Sequence, residues 1–102
     1  RLTTRAQPCG PAEVARRAAF FLQRFPDSPL APEARLLQAR AEEEEFWRGG
    51  GKERDALRRA IDAYQQAAKL KRTEAAAEAR RALKRLAVKK PQRPSRPFAV
   101  CH

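Results

Sequence analysis

The chain has 102 residues, with 23 Lys or Arg against 12 Asp or Glu and a formal net charge of +11 at neutral pH. That length supports one small domain with a modest core, and the longest apolar run, Ala18 to Leu22, is far too short to span a membrane. Ala, Arg, Leu and Glu dominate while Gly occurs only 4 times, which is the bias of an all-helical protein.

Residues 1–10 read as a polar arm without periodicity. The chain opens on Arg1 and contains no Met, so a processed chain or an excised fragment is expected. Pro11 suits a first helical position, and Val14, Ala18, Phe21, Leu22 and Phe25 recur at spacings of three and four, predicting a helix over 11–25. Pro26 biases Phe25 away from helical dihedrals and ends that helix. Asp27 and Ser28 are turn and N-cap residues, and either Pro29 or Pro32 opens the second helix. It runs to Arg48 with Ala34, Leu37 and Ala41 on one line and Leu36, Ala39, Phe46 and Trp47 nearby. Gly49-Gly50-Gly51 stops it.

A third helix is predicted over 52–72 from the face Leu57, Ala60, Ile61, Tyr64, Ala67, Ala68 and Leu70. Thr73 is the expected N-cap of a fourth over 74–88, whose apolar side is Ala76, Ala79, Ala82, Leu83, Leu86 and Ala87. Residues 89–102 carry three prolines among basic residues and read as an extended or disordered tail. The helical domain is therefore 11–88, and its short connections favour antiparallel neighbours.

The Phe25-Pro26-Asp27-Ser28-Pro29 joint and the run Ala60 to Leu70 resemble tetratricopeptide repeats, in which a small residue, an aromatic four later and a small residue three beyond pack the second helix on the first. Ala60, Tyr64 and Ala67 match that pattern. The joint is similar to repeats of bacterial cell-envelope scaffold proteins. The resemblance implies stacked helical hairpins that recruit a partner through a concave surface, in the cell envelope. Glu42 to Glu45 replace the usual aromatic of the first helix, and the Gly-rich turn lengthens the hairpin. With about two repeats, fewer than the roughly three of a stable array, self-association or a permanent partner is expected.

From Lys69 to His102 there are eleven Lys or Arg against only Glu74 and Glu78. Arg80, Arg81, Lys84, Arg85, Lys89 and Lys90 recur at helical intervals and continue into Arg93 and Arg96, a basic ridge able to meet phosphates or an acidic protein. No aromatic lies between Tyr64 and Phe98, so base stacking is unsupported. Glu42 to Glu45 wrap a full helical turn, so at least one glutamate must point towards a neighbouring helix. Arg40 and Arg48 are the expected partners at helical spacing, on a charged surface.

Phe20, Phe21, Phe46, Trp47 and Tyr64 are the candidate partner-binding aromatics. Core is the default for such residues, but Phe20-Phe21 and Phe46-Trp47 are adjacent pairs that cannot all face one core. One of each is expected outside. Cys9 and Cys101 either form a disulfide closing a very long loop or remain two free thiols.

No cofactor or metal is expected. Cys9, Cys101 and His102 make three ligands where structural zinc takes four. The ending Phe98 to His102 resembles a single-cysteine haem attachment site, yet the chain holds no Met for the opposite axial position. The single His is terminal, no Ser or Cys sits in a nucleophile motif, and the glycines form no phosphate loop, so the chain reads as a non-enzyme.

The expected function is a protein–protein interaction module with a helical groove, assisted by the basic end. The expected partner is an acidic protein or a second copy, ahead of nucleic acid or an anionic membrane, with no small-molecule substrate. The alternative is a small basic accessory subunit of a ribonucleoprotein or membrane-associated complex.

Overall fold

A computed structural model describes residues 10–70 and 73–94, in four helices: α1 Pro11–Arg24, α2 Ala31–Arg48, α3 Arg54–Ala68 and α4 Glu74–Leu86. The fold is all-α, and consecutive helices pack as adjacent antiparallel pairs. Cys9, Cys101 and Arg96 lie outside the described residues.

Local signals set most helix ends. Pro11 opens α1, where its missing N–H is one that no helix could satisfy, and the Phe25 N–H donates back to the Phe21 carbonyl at 2.8 Å. The next turn departs from expectation. Ser28 caps the turn rather than the helix, accepting from the Leu30 N–H at 3.1 Å, while Leu30 is the N-cap of α2 and offers no side-chain bond. Pro32 in the first turn removes one orphan donor, which lightens the need for a cap.

The glycine run closes α2 as a Schellman motif. The Gly51 N–H reaches the Phe46 carbonyl at 3.0 Å and the Gly50 N–H reaches Trp47 at 3.1 Å. Both glycines have positive φ, +96° and +71°, which other residues adopt only under strain.

α3 is shorter than the 52–72 predicted. The Thr73 hydroxyl donates to the Leu70 carbonyl at 2.8 Å and accepts from the Ala76 N–H at 3.0 Å. α3 itself closes through tighter i→i+3 bonds, Lys69 N–H to the Gln66 carbonyl and Leu70 N–H to the Ala67 carbonyl, both at 3.3 Å, and the cap of α4 follows at once. α4 in turn stops at Leu86 and leaves Val88 exposed.

Packing makes α2 the centre. It meets α1, α3 and α4, whereas α1 meets α2 alone. A helix surrounded in this way buries residues around much of its circumference rather than along one stripe. On the predicted line Ala41 is buried and Ala34 half-buried but Leu37 is exposed, and Leu36, Ala39 and Phe46 are buried together with Glu43.

The central core joins Leu36 and Ala39 of α2 to Ala60, Tyr64 and Ala67 of α3 and to Ala75, Ala79, Ala82 and Leu86 of α4. Five of these nine are alanines on α3 and α4, so those backbones approach closely and gain many small dispersion contacts rather than a few large burials. α1 adds Ala18 and Leu22, but its outer side is bare, with Phe20, Phe25 and the following Leu30 all more than half exposed.

Candidate functional site

The most unusual residue is Glu43. It occupies a core position of α2, four residues after Ala39 and three before Phe46, and is only 2 % exposed. A buried carboxylate is costly unless its acceptor sites are filled. Here all of them are. Oε1 accepts from the Tyr64 hydroxyl at 2.6 Å and from Arg85 Nη2 at 3.1 Å; Oε2 accepts from Trp47 Nε1 at 2.8 Å and from Arg85 Nη1 at 2.8 Å. Four bonds match the roughly four lone-pair sites of a carboxylate, which leaves no acceptor for a substrate.

The electrostatics agree with that count. Burial alone pushes the Glu43 carboxyl up, but the hydrogen bonds from Arg85, Tyr64 and Trp47 and the Arg85 charge together outweigh it. They hold the group below the usual carboxylate range. Tyr64 is driven far upward, first by burial and then by the Glu43 charge it faces. The Arg85 guanidinium is raised by its hydrogen bonds to Glu43, so the pair is an ion pair at any physiological pH.

This cluster builds one wall of a cleft of about 560 Å³ between α2 and α4. Trp47 forms its aromatic surface, and the ring is fixed from two sides. Its N–H is held by Glu43, and its far edge backs onto Gly51, where an added Cβ would stand 2.9 Å from Cζ3. Arg81, exposed, lines the cleft on the α4 side.

The start of the predicted tail returns to this cleft. The Gln92 N–H donates to the Arg85 carbonyl at 3.2 Å, Arg85 Nη1 donates to the Gln92 carbonyl at 2.9 Å, and the Arg93 guanidinium lies 5.1 Å from the Trp47 ring centroid. Residues 91–94 are thus packed against the helices rather than projecting freely.

The candidate aromatics separate clearly. Phe46 and Tyr64 are core residues at 2 % exposure, and Tyr64 also stands in the wall of the cleft. Trp47 is half-buried beside Phe46, Phe21 is half-buried, and Phe20 is 58 % exposed under the Arg24 guanidinium. Each adjacent pair therefore has an inner and an outer member.

The basic ridge is divided as well. Arg85 turns inward to Glu43, and Arg93 stacks on Trp47. Arg80, Arg81, Lys84, Lys89 and Lys90 remain exposed, and none of them is in an ion pair among the described residues. Of the glutamates, Glu44 pairs with Arg48 at 3.0 Å at helical spacing as expected. Arg40 does not pair within α2; it faces Glu78 of α4 at 3.8 Å, and Glu42 faces Arg59 of α3 at 3.6 Å.

Among the described residues no group of three or more His, Cys, Asp or Glu could hold a metal ion, and no helix is long and apolar enough to cross a membrane. Four consecutive glutamates must send at least one inward, and here it is Glu43. Its phase, seven residues after Leu36 and four after Ala39, was the available signal. No protein-family model, curated protein or solved structure matches the chain.

Proposed function

We propose that the chain is a non-catalytic helical interaction module that holds a segment of a partner protein in the cleft between α2 and α4. The observation that carries this reading is the Trp47 wall: it is held rigid by Glu43 and Gly51, and it is already contacted by a stretch of polypeptide, residues 91–94. A surface shaped to meet backbone and side chain together suits an extended segment. The exposed cations of α4 steer the partner's acidic groups towards it.

The tetratricopeptide-like reading belongs to the same proposal. Ala60, Tyr64 and Ala67 are buried in the core shared with α2 and α4. Together with the contacts of α2 to both α3 and α4, this supports one hairpin, α2–α3, followed by the first helix of another.

The test uses tagged full chain passed through its native extract, washed at low and high salt, with retained proteins identified by mass spectrometry. Arg81→Glu alters the exposed rim of the cleft, and Phe20→Ala alters α1, which does not line it. A defined protein that survives high salt, is lost with Arg81→Glu and is kept with Phe20→Ala supports the cleft. The reverse pattern moves the docking site to α1.

A second reading is favoured by one observation: Arg80, Arg81, Lys84, Lys89 and Lys90 are exposed and form no ion pair among the described residues. A solvated ridge of that kind suits an accessory subunit held on phosphates or on an acidic surface.

A further inference from the structure

We propose that the α2–α4 cleft is a receptor for an extended arginine–proline segment, and that residues 91–94 are its resident occupant, displaced by a partner of the same chemistry. This rests on the reading of the cleft as the partner site and adds what the partner must present.

The recognition has three parts. The first is backbone reading. Two bonds to Glu43 hold the Arg85 guanidinium, and the last turn of α4 holds its main-chain carbonyl, so Nη1 and that carbonyl stand at fixed positions. They take the carbonyl and N–H of Gln92 at 2.9 and 3.2 Å, neither of which involves the glutamine side chain. Any non-proline residue could occupy that place.

The second part is the residue that follows. Arg93 lays its guanidinium over Trp47 at 5.1 Å. The contact is with the ring face: Glu43 is saturated, Glu44 is paired with Arg48, Glu78 faces Arg40 at 3.8 Å, and Arg93 is in no ion pair among the described residues. A planar guanidinium stacks on an indole in a way a lysine ammonium does not.

The third is stiffness. Pro91 and Pro94 bracket the pair, and Pro94 lines the cleft. Pro94 biases Arg93 towards extended dihedrals and Pro91 has its own φ fixed, so less conformational freedom is lost on docking.

One backbone hydrogen bond, one bond from the Arg85 side chain to a backbone carbonyl and one exposed cation–π contact make a weak hold. Tethering keeps it closed, because a short chain connection presents the segment at an effective concentration on the order of millimolar. A partner that supplies the same three contacts, and adds acidic groups for Arg81 and Lys84, outcompetes it.

The chain has a single tryptophan, so its fluorescence reports the cleft alone. Acrylamide quenching of full-length chain should rise about twofold in Arg93→Ala as the guanidinium leaves the ring, and Arg93→Lys should fall between wild type and Arg93→Ala, because an ammonium keeps the charge but covers less of the ring. Far-UV circular dichroism unchanged in both shows that the helices persist.

In the full-length double variant Gln92→Pro/Arg93→Ala, a capped peptide of sequence Lys-Lys-Pro-Gln-Arg-Pro at millimolar concentration should restore wild-type quenching. The same peptide with Ala for Arg should not. Equal quenching of wild type and Arg93→Ala, or equal restoration by both peptides, overturns the proposal. In recovery from native extract, Arg93→Ala should retain more partner than wild type. Equal retention rejects displacement and leaves the interaction module standing, whereas no partner from either chain rejects the module itself.

Discussion

Glu43 is a charge where the phase of α2 calls for an apolar side chain, and its environment compensates through three neighbours that converge from three helices. Breaking that arrangement on one side should be far worse than removing it. Arg85→Ala leaves a buried carboxylate without its counter-ion and should cost about 3 kcal/mol in urea unfolding. Glu43→Leu/Arg85→Leu, which removes both charges, should cost clearly less than Arg85→Ala. A double variant less stable than Arg85→Ala would show that the pair contributes stability beyond what its removal relieves.

The pH dependence of Glu43 follows from the same geometry. Its carboxyl titrates lower in the folded chain than in the unfolded one. Its contribution is therefore complete above the unfolded value and is lost as pH falls through the folded value. The stability gap between wild type and Glu43→Gln should accordingly narrow below about pH 4, the ordinary glutamate range. A gap constant from pH 7 to pH 3 would contradict the ionised assignment. That Glu43 points inward was half legible, since a full turn of glutamates must send one to the core. Which cation meets it was not.

At the scale of elements, helix ends were the most legible part of the chain, because a cap is a conversation among residues three to five apart. Pro11, the glycine run and Thr73 act where the sequence placed them. Ser28 does not, because a proline on either side lets the helix open two residues late at little cost. The α2 terminus also has a tertiary duty, since Gly51 supports the Trp47 ring. Gly51→Ala should therefore do more than Gly50→Ala. Both force a side chain onto positive φ, at roughly 1–2 kcal/mol, but only at Gly51 does the new Cβ meet the indole; at Gly50 it meets open space. The check is the unfolding midpoint together with Trp47 emission: both variants should lose stability, and only Gly51→Ala should shift the spectrum. Matching spectra would remove Gly51 from the support of the ring.

On the scale of the whole molecule, charge sits in excess and is unevenly used. Arg85 and Arg93 are spent internally, while Arg80, Arg81, Lys84, Lys89 and Lys90 face solvent. If the chain serves as a phosphate-bound accessory subunit, its affinity for duplex DNA of random sequence should fall with salt, and Arg80→Ala/Arg81→Ala/Lys84→Ala should flatten that slope by about one per cation removed. A slope equal to wild type would reject the ridge as a phosphate site and leave the cleft as the functional surface.

Four helices, their approximate limits, the alanine faces through which α3 and α4 pack, and the charge asymmetry can all be read along the chain. Each of these is carried by neighbours within one or two turns, where hydrogen-bond partners and side-chain faces follow from helix geometry. It is the packing of the helices that brings Arg85 to Glu43 across 42 residues, sets Arg40 opposite Glu78 and folds residues 91–94 back onto Trp47. Those pairings depend on where α2 lies among its three neighbours. A periodic pattern gives the phase of each helix separately and carries no information on which face of the next helix lies opposite.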